Sequence, residues 1–264
     1  MIKNRKSYSI IFIGAGRVAC HLSRALHDAG HEIIQVISRT EESARTLANV
    51  FGCTWGTDIA KLLHDPDLII FSVRDDVLQE MIFRVQAGTA LVVHTGGSIP
   101  IDVFEGKVRN YGVFYPLQTF STGRTPDFRK IPMCIEANTP GNEDVLFALA
   151  GQISDVVLRA DSKQRLTLHL AAIMVNNFGN HLFAMAKDIL EKEHLSFDLL
   201  RPLIEETVAK AFDLGPQMAQ TGPAVRNDEN VIKKHLDLLS CSPEIKRVYE
   251  VLTESIRQSI EKGK

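Results

Sequence analysis

Cysteine is scarce in this sequence, and long apolar runs are missing from it. The four cysteines form no Cys-x-x-Cys pair and no cluster with histidine at metal-ligand spacing, so neither a disulfide framework nor a metal site is predicted. After the basic first six residues, the apolar stretch extends only from Ile10 to Ile13, which is too short for a signal-peptide core. No run approaches the roughly 20 apolar residues that span a bilayer. We therefore expect a reduced, soluble, cytoplasmic protein.

An excess of charge of one sign is also lacking. The chain has 30 Lys and Arg against 32 Asp and Glu, a formal net charge of −2. That balance provides no long-range attraction toward nucleic acid or an anionic membrane, and we expect neither as a partner. The 264 residues allow one large domain or two modest ones.

Short apolar runs alternate with amphipathic stretches through the first 160 residues, which predicts a parallel sheet covered by helices. We predict strands at 8–13, 32–37, 68–73, 90–94, 111–115, 133–137 and 155–160, and helices at 17–29, 41–51 and 142–151. From Ser162 the pattern is helical, with helices predicted at 162–193, 197–214, 229–239 and 243–262. The prediction is an α/β fold with a Rossmann-type, doubly wound, mostly parallel sheet in residues 1–160. An all-α domain follows in residues 161–264.

A glycine-rich turn follows the first predicted strand and opens the first helix. Its sequence matches G-x-G-x-x-G/A, in the order Gly14, Ala15, Gly16, Arg17, Val18 and Ala19. In that context the glycines allow a tight turn and close approach of a pyrophosphate to the helix N-terminus. The alternative is an ordinary strand-to-helix turn.

The end of the second strand distinguishes the two nicotinamide cofactors. An NAD enzyme places Asp or Glu there, whereas this chain has Ser38, Arg39 and Thr40. A guanidinium pairs with a 2′-phosphate, so the sequence favours NADP(H). Alternatively, Arg39 is only a solvated loop residue. NAD also stays possible, because Glu41 or Glu42 could bind the ribose hydroxyls.

Two further strand ends are predicted at the same carboxyl edge of the sheet, where ligands bind. The residues we assign there to the cofactor are Ser72, Val73, Arg74, Thr95 and Gly96. His94 is either a catalytic acid or a hydrogen-bonded structural histidine.

Polar residues form a stripe on the apolar helix that begins at Ser162. At 100° per residue, Arg165, His169, Asn176, Asn180 and Lys187 lie within an arc of about 60°. We predict that His169 and Asn176 contact a small-molecule substrate and are the catalytic residues. The alternative is a narrow solvated face.

A Gly-Pro loop at Thr221–Asp228 interrupts the helical half. It is either a lid or anion clamp, or a tight turn locked by an Arg226–Asp228 pair.

Five segments resemble a family of Rossmann-like NADP oxidoreductases whose helical C-terminal domain has no assigned function. They are GAGRVA from Gly14, HTGGS from His94, YGVFYPLQTFS from Tyr111, HLAAIMVNNF from His169 and QTGPAVRND from Gln220. That family looks like a branch of the group that holds pyrroline-5-carboxylate reductase, ketopantoate reductase and 6-phosphogluconate dehydrogenase. The resemblance implies an NADP-binding domain, a helical domain that builds a homodimer, and a substrate cleft between them.

Two departures from the related patterns matter. The family pattern usually has His-Pro where this chain has Tyr115-Pro116, which leaves the role of Tyr115 open. In the resemblance to the hydroxyacid dehydrogenase branch, the expected pattern on the long helix is Lys-x-x-x-Asn. In this chain the residue four before Asn176 is Ala172, so that lysine is missing.

Our leading hypothesis is an NADP(H)-dependent reductase of a small C=N or C=O substrate, similar to pyrroline-5-carboxylate reductase. The alternatives are a hydroxyacid-type dehydrogenase that uses His94 or His169, a deazaflavin-dependent reductase, and a sensor that binds NADP(H) without turnover.

Overall fold

The computed structural model describes residues 7–262, so the basic N-terminal run lies outside the described part. The chain divides into two compact units, Met1–Asn177 and Phe178–Lys264. Within the described residues, no helix combines the length and apolar character needed to cross a bilayer.

The first unit contains an eight-stranded sheet, whose order is β3-β2-β1-β4-β5-β6-β7-β8. All neighbouring strands are parallel except β6 and β7, which are antiparallel. The mostly parallel Rossmann-type sheet is therefore confirmed. The strands are β1 Ser9–Ile13, β2 Glu32–Ile37, β3 Thr54–Gly56, β4 Leu68–Phe71, β5 Leu91–His94, β6 Asn110–Pro116, β7 Met133–Ala137 and β8 Val157–Arg159.

Helices cover both faces of this sheet. Alternate residues of β1 explain why: Ile10 and Phe12 belong to one apolar cluster, and Ile11 and Ile13 to another on the opposite face. The helices of this unit are α1 Arg17–Asp28, α2 Glu41–Phe51, α3 Asp75–Arg84, α4 Pro140–Ile153 and α5 Ser162–Ala172. Both faces of the central strands are buried, which is why these strands are apolar throughout.

The second unit is helical, and no strand follows β8 in the described residues. Its helices are α6 Gly179–Lys192, α7 Arg201–Leu214, α8 Pro216–Ala219, α9 Glu229–Leu238 and α10 Pro243–Lys262. The all-α C-terminal region is thus confirmed. The sheet ends where the sequence places the domain boundary, but the compact units divide later, after Asn177. The boundary at residue 160 therefore stays a prediction.

Three features differ from the predicted elements. Strand β3 has only three residues, too few for an alternating pattern, and α3 was not predicted. The helix predicted over residues 162–193 is helical throughout 162–192, but Ile173–Phe178 is a π-helical segment between α5 and α6. Because a π turn holds more residues than an α turn, the assumption of 100° per residue fails across it.

Candidate functional site

The glycine-rich turn joins β1 to α1 as predicted. Gly14 has φ +108° and donates its N–H to the Ile37 carbonyl at 2.7 Å. A Cβ at Gly14 would lie 2.1 Å from the Ser72 carbonyl oxygen, so only glycine fits there. Ala19 is fully buried, which lets α1 pack closely on the sheet.

The N-terminus of α1 fits a dinucleotide. Gly16 is the N-cap residue, no side chain of the described residues caps the helix, and its first turn contains no acidic residue. Within the described part of the chain, no heavy atom lies within 4 Å of a Cβ built on Gly16, so the space above the turn is open. Free backbone N–H groups, the positive end of the helix dipole and open space are what a pyrophosphate requires.

The turn after β2 contains an exposed arginine, Arg39. The hydroxyls of Ser38 and Thr40 lie 2.8 and 2.7 Å from the Ser43 hydroxyl, so Ser43 joins them in one cluster. Arg39 is exposed and makes no ion pair within residues 7–262. Its guanidinium is therefore free for a ligand, while the neighbouring hydroxyls are already engaged with one another.

The ends of β4 and β5 lie on the other side of β1 from β2, and Ser72 after β4 contacts the glycine-rich turn at Gly14. Ser72 is buried under Gly14, and the Thr95 hydroxyl donates to the Phe71 carbonyl at 3.4 Å. Arg74 is exposed and forms a bidentate pair with Asp76 at 3.1 and 2.8 Å. A phosphate contact by Arg74 would therefore have to replace this pair.

His94 is a buried, neutral histidine. Only 1% of its surface is exposed, and the ring stacks on Phe104 with 5.6 Å between centroids. Burial and the nearby Arg165 charge lower the pKa of His94 to about 3. Its Nδ1 accepts the Gly96 N–H at 3.1 Å, so the ring supports the loop after β5. Of the two roles considered for His94, this geometry favours the structural one.

His169 lies on α5 beside Tyr115 of β6. Its Nδ1 is 3.3 Å from the Tyr115 hydroxyl oxygen, and the two rings meet edge to face. Gly97 packs against both rings: a Cβ there would lie 2.7 Å from His169 Nδ1 and 2.9 Å from Tyr115 Cζ. Tyr115 is 9% exposed, and burial is the main cause that raises its pKa to about 12. The hydroxyl therefore keeps its proton at neutral pH.

A cavity of about 710 Å³ brings the predicted groups together within the first unit. Arg17 and Val18 from the start of α1 line it, together with Tyr115 and with His169 and Asn176. The glycine-rich turn therefore leads into the same space as both predicted catalytic residues. The remaining lining is mixed, with polar Gln118, Thr119 and Asn177 and apolar Leu117, Phe120, Leu168, Ala171, Ala172, Ile173 and Val175.

A buried ion pair fixes the start of α5 one turn before His169. Arg165 is 1% exposed and pairs with Glu136 of β7. It also donates to the Ile99 carbonyl and, at 3.3 Å, to the Ser162 hydroxyl. The same hydroxyl donates to Glu136 at 2.9 Å and accepts the Ile101 N–H at 3.0 Å. The network thus ties α5 to the loop after β5.

The polar stripe does not act as one surface. Arg165, its first member, is buried with Glu136, and the π segment changes the helical register at Asn176. Lys187, in the second unit, pairs with Glu191 at 3.4 Å. A stripe computed for a regular α-helix is therefore wrong beyond Ala172, although His169 and Asn176 still line one cavity.

The Thr221–Asp228 loop is a turn held by its backbone. The Asp228 N–H donates to the Pro223 carbonyl at 2.9 Å, and the Asp228 side chain caps α9 by accepting from Val231 N–H at 3.2 Å. Among the described residues no Arg226–Asp228 ion pair forms, so the turn is locked in another way than the one considered above.

Sequence reasoning missed three residues of this site. They are Gly97, Glu136 and Ser43. The first two contact residues far away in sequence, and the third joins a hydroxyl cluster. No local motif marks such contacts. A signal that could have marked Gly97 is the Gly96–Gly97 pair, because adjacent glycines are typical of places where other groups approach the backbone closely.

Two family models match the chain. Residues 9–95 match the family described as "NADP oxidoreductase coenzyme F420-dependent", and residues 131–256 match the "Domain of unknown function (DUF2520)". A comparison with curated proteins found no match.

Solved structures similar to this chain include a protein from Bacteroides fragilis, described provisionally as an NADP oxidoreductase. It is 46% identical, with a TM-score of 0.89, over 96% of this chain and 99% of that one. An imine reductase from Myxococcus stipitatus in complex with NADP+ is 18% identical, with a TM-score of 0.65, over 97% and 95%. A 1-pyrroline-5-carboxylate reductase from Streptococcus pyogenes is 12% identical, with a TM-score of 0.64, over 96% and 100%. At 18% and 12% identity the likeness shows the fold alone.

Proposed function

We propose the function of this chain from one premise: it belongs to the oxidoreductase family that joins an NADP oxidoreductase domain of the coenzyme F420-dependent type to a DUF2520 domain. The resemblance stated from its sequence motifs is thereby confirmed. The finer proposal is that the chain uses NADP(H) to reduce a small C=N or C=O substrate.

One observation carries this proposal: the helix start that fits a pyrophosphate and the His169–Tyr115 pair line one cavity. Reduced nicotinamide, when bound, supplies a hydride to an electrophilic carbon. The residues of this chain would hold and orient both partners, which is the main contribution a protein makes to such a transfer.

For the cofactor, we assign the pyrophosphate to the turn from Gly14 to Ala19. The 2′-phosphate is assigned to Arg39, whose guanidinium is exposed and free of ion pairs within the described residues. Ser38 and Thr40 border that position, and Ser72, Val73, Arg74, Thr95 and Gly96 border the ribose and nicotinamide.

For the substrate, we assign His169 and Asn176 as hydrogen-bonding groups in the cavity. Ala172 lines the cavity four residues before Asn176, so no lysine occupies the place of the hydroxyacid dehydrogenase pattern. A cyclic imine that is already protonated needs no such lysine, which favours imine reduction over alcohol oxidation. The mixed lining suits a small substrate with one polar group.

We also propose a homodimer formed through the helical unit. Large apolar side chains there remain exposed, including Phe212 at 86%, Met218 at 79% and Leu238 at 71%. Monomeric proteins rarely leave so many apolar groups in water. Light scattering after size exclusion measures the mass, and a monomer at micromolar concentration would contradict this proposal. A cytoplasmic location stays part of the proposal.

Binding measurements test the cofactor assignment. We expect calorimetry to show tighter binding of NADPH than of NADH. Arg39→Ala should lose roughly 10- to 100-fold in NADPH affinity, the worth of a charged hydrogen bond, and leave NADH unchanged. Arg45→Ala removes another exposed arginine from α2 and is the matched control. Equal loss for both cofactors would refute the role of Arg39.

Turnover tests the reaction. We expect NADPH oxidation with members of a panel of cyclic imines and small ketones, and only a small residual rate in His169→Ala with NADPH binding retained. Tight NADPH binding without turnover on any substrate would instead favour a sensor.

A second candidate is a deazaflavin-dependent reductase, because the description of the matching N-terminal family names coenzyme F420. Reduced deazaflavin is a second arm of both assays. Turnover with it alone would replace the proposed use of NADP(H).

A further inference from the structure

The Tyr115 hydroxyl is a hydrogen-bond donor, and the position of its acceptor determines where its proton points. It is buried under Gly97, and burial keeps its proton on the oxygen at neutral pH by raising the pKa of Tyr115 to about 12. Within residues 7–262 its single hydrogen-bond partner is His169 Nδ1, at 3.3 Å. A buried donor without an acceptor is costly, so the hydroxyl proton is directed at the Nδ1 lone pair.

The two edges of the His169 ring differ in their surroundings. The Nδ1 edge is enclosed, because the Gly97 backbone lies against Nδ1 and Cγ and Tyr115 completes the contact. Nε2 makes no hydrogen bond to any of the residues that the structure describes. His169 is half-buried and lines the cavity, so Nε2 is the ring nitrogen left for a ligand.

We infer that Tyr115 is a positioning residue, whose hydroxyl donates a hydrogen bond to Nδ1 of His169 and thereby directs the Nε2–H of that ring into the cavity. When one imidazole nitrogen accepts a hydrogen bond, the proton of the neutral ring resides on the other. His169 then offers a hydrogen-bond donor to the oxygen of a C=O group or to the nitrogen of an unprotonated C=N group, whose lone pair accepts it. Tyr115 itself acts only through His169.

This arrangement deepens the proposed function and rests on it, because a fixed donor polarises the double bond that is reduced. A donor held in place before the substrate arrives needs no reorganisation during the reaction. Gly97 contributes by leaving room for both rings, since any Cβ there would displace one of them.

The first test needs neither cofactor nor substrate. In protein labelled with ¹⁵N-histidine, the His169 signals are identified by their loss in His169→Ala. At a pH where His169 is neutral, we expect the proton on Nε2 and a nitrogen shift at Nδ1 typical of an acceptor with a bound donor. In Tyr115→Phe, the Nδ1 signal should move to the shift of an acceptor without a donor. A proton found on Nδ1, or an unmoved Nδ1 signal in Tyr115→Phe, would overturn the inference.

The second test is a double-mutant cycle on turnover. Tyr115→Phe should lower kcat by roughly 2- to 10-fold, the worth of one hydrogen bond, with little change in cofactor affinity. In a His169→Ala background the same substitution should change the residual rate less than 2-fold, because Tyr115 acts through His169. Tyr111→Phe, which removes a hydroxyl from the same strand, is the control and should retain full activity.

The outcomes separate this inference from the proposed function. If the wild-type protein reduces no substrate with NADPH, the proposed function fails, and the ¹⁵N measurement still decides the role of Tyr115. If the wild type is active and Tyr115→Phe has equal effects with and without His169, the inference fails and the proposed function stands.

Discussion

Gly97→Ala tests the packing on which the His169–Tyr115 pair depends. The added Cβ would lie 2.7 Å from His169 Nδ1, 2.9 Å from His169 Cγ and 2.9 Å from Tyr115 Cζ, whereas ordinary contact begins at 3.4 Å. The His169 ring must therefore retreat by about 0.7 Å, the difference between 3.4 and 2.7 Å. Both rings contact Gly97, so a displacement of either ring disturbs the hydrogen bond between Tyr115 and His169.

Overpacking of this kind costs roughly 1–3 kcal/mol, which corresponds to a loss of a few degrees in Tm for a chain of this size. The effect on turnover should be similar in free energy, because a displacement of about 1 Å at a reacting group can cost roughly 100-fold in rate, or about 2.7 kcal/mol. We expect kcat to fall by about 10- to 100-fold while NADPH affinity changes little.

Calorimetric melting, NADPH binding and steady-state turnover measure the three quantities on one preparation. Gly151→Ala in α4 is the matched control, since its Cβ meets none of the residues that the structure describes within 4 Å and its backbone is helical. We expect that control to equal or exceed wild-type stability. A Gly97→Ala protein with wild-type Tm and kcat would refute the packing argument.

Two further predictions concern the buried ionisable groups Arg165 and His94. Arg165→Met should destabilise the protein by roughly 3–5 kcal/mol, because it leaves Glu136 without its buried partner. The double variant with Glu136→Gln should lose less free energy of unfolding than the sum of the two single variants. Additive losses in urea unfolding would contradict this. His94 has a pKa of about 3 when folded against 6.5 when unfolded, so the unfolded chain binds more protons between these values. The stability that neutral His94 provides is thus present above pH 6.5 and lost as pH falls toward 3; His94→Gln should flatten this part of the pH-stability curve, and an unchanged slope would argue against it.

Local sequence signals were sufficient for most of the sheet and its cofactor turn. Strand β2 and helices α2 and α10 have the predicted bounds, because apolar periodicity and caps such as Thr40 define these elements locally. The glycine-rich turn was also predictable, since Gly14 must adopt positive φ between a strand and a helix.

The candidate site required the tertiary structure. Tyr115 and His169 are 54 residues apart, and their contact depends on where α5 packs against β6. Similarly, the polarity of Arg165 suggested a cavity-facing group, but its partner Glu136 lies on another strand and buries it. The π segment has no composition signal of its own, so the register beyond Ala172 could not be predicted.

The most direct test of the central claim is a structure of the protein with NADP+ bound. We expect the pyrophosphate on the turn from Gly14 to Ala19, the 2′-phosphate at Arg39, and the nicotinamide in the cavity that His169 and Asn176 line. A nicotinamide outside that cavity, or a dinucleotide that leaves the glycine-rich turn untouched, would contradict it.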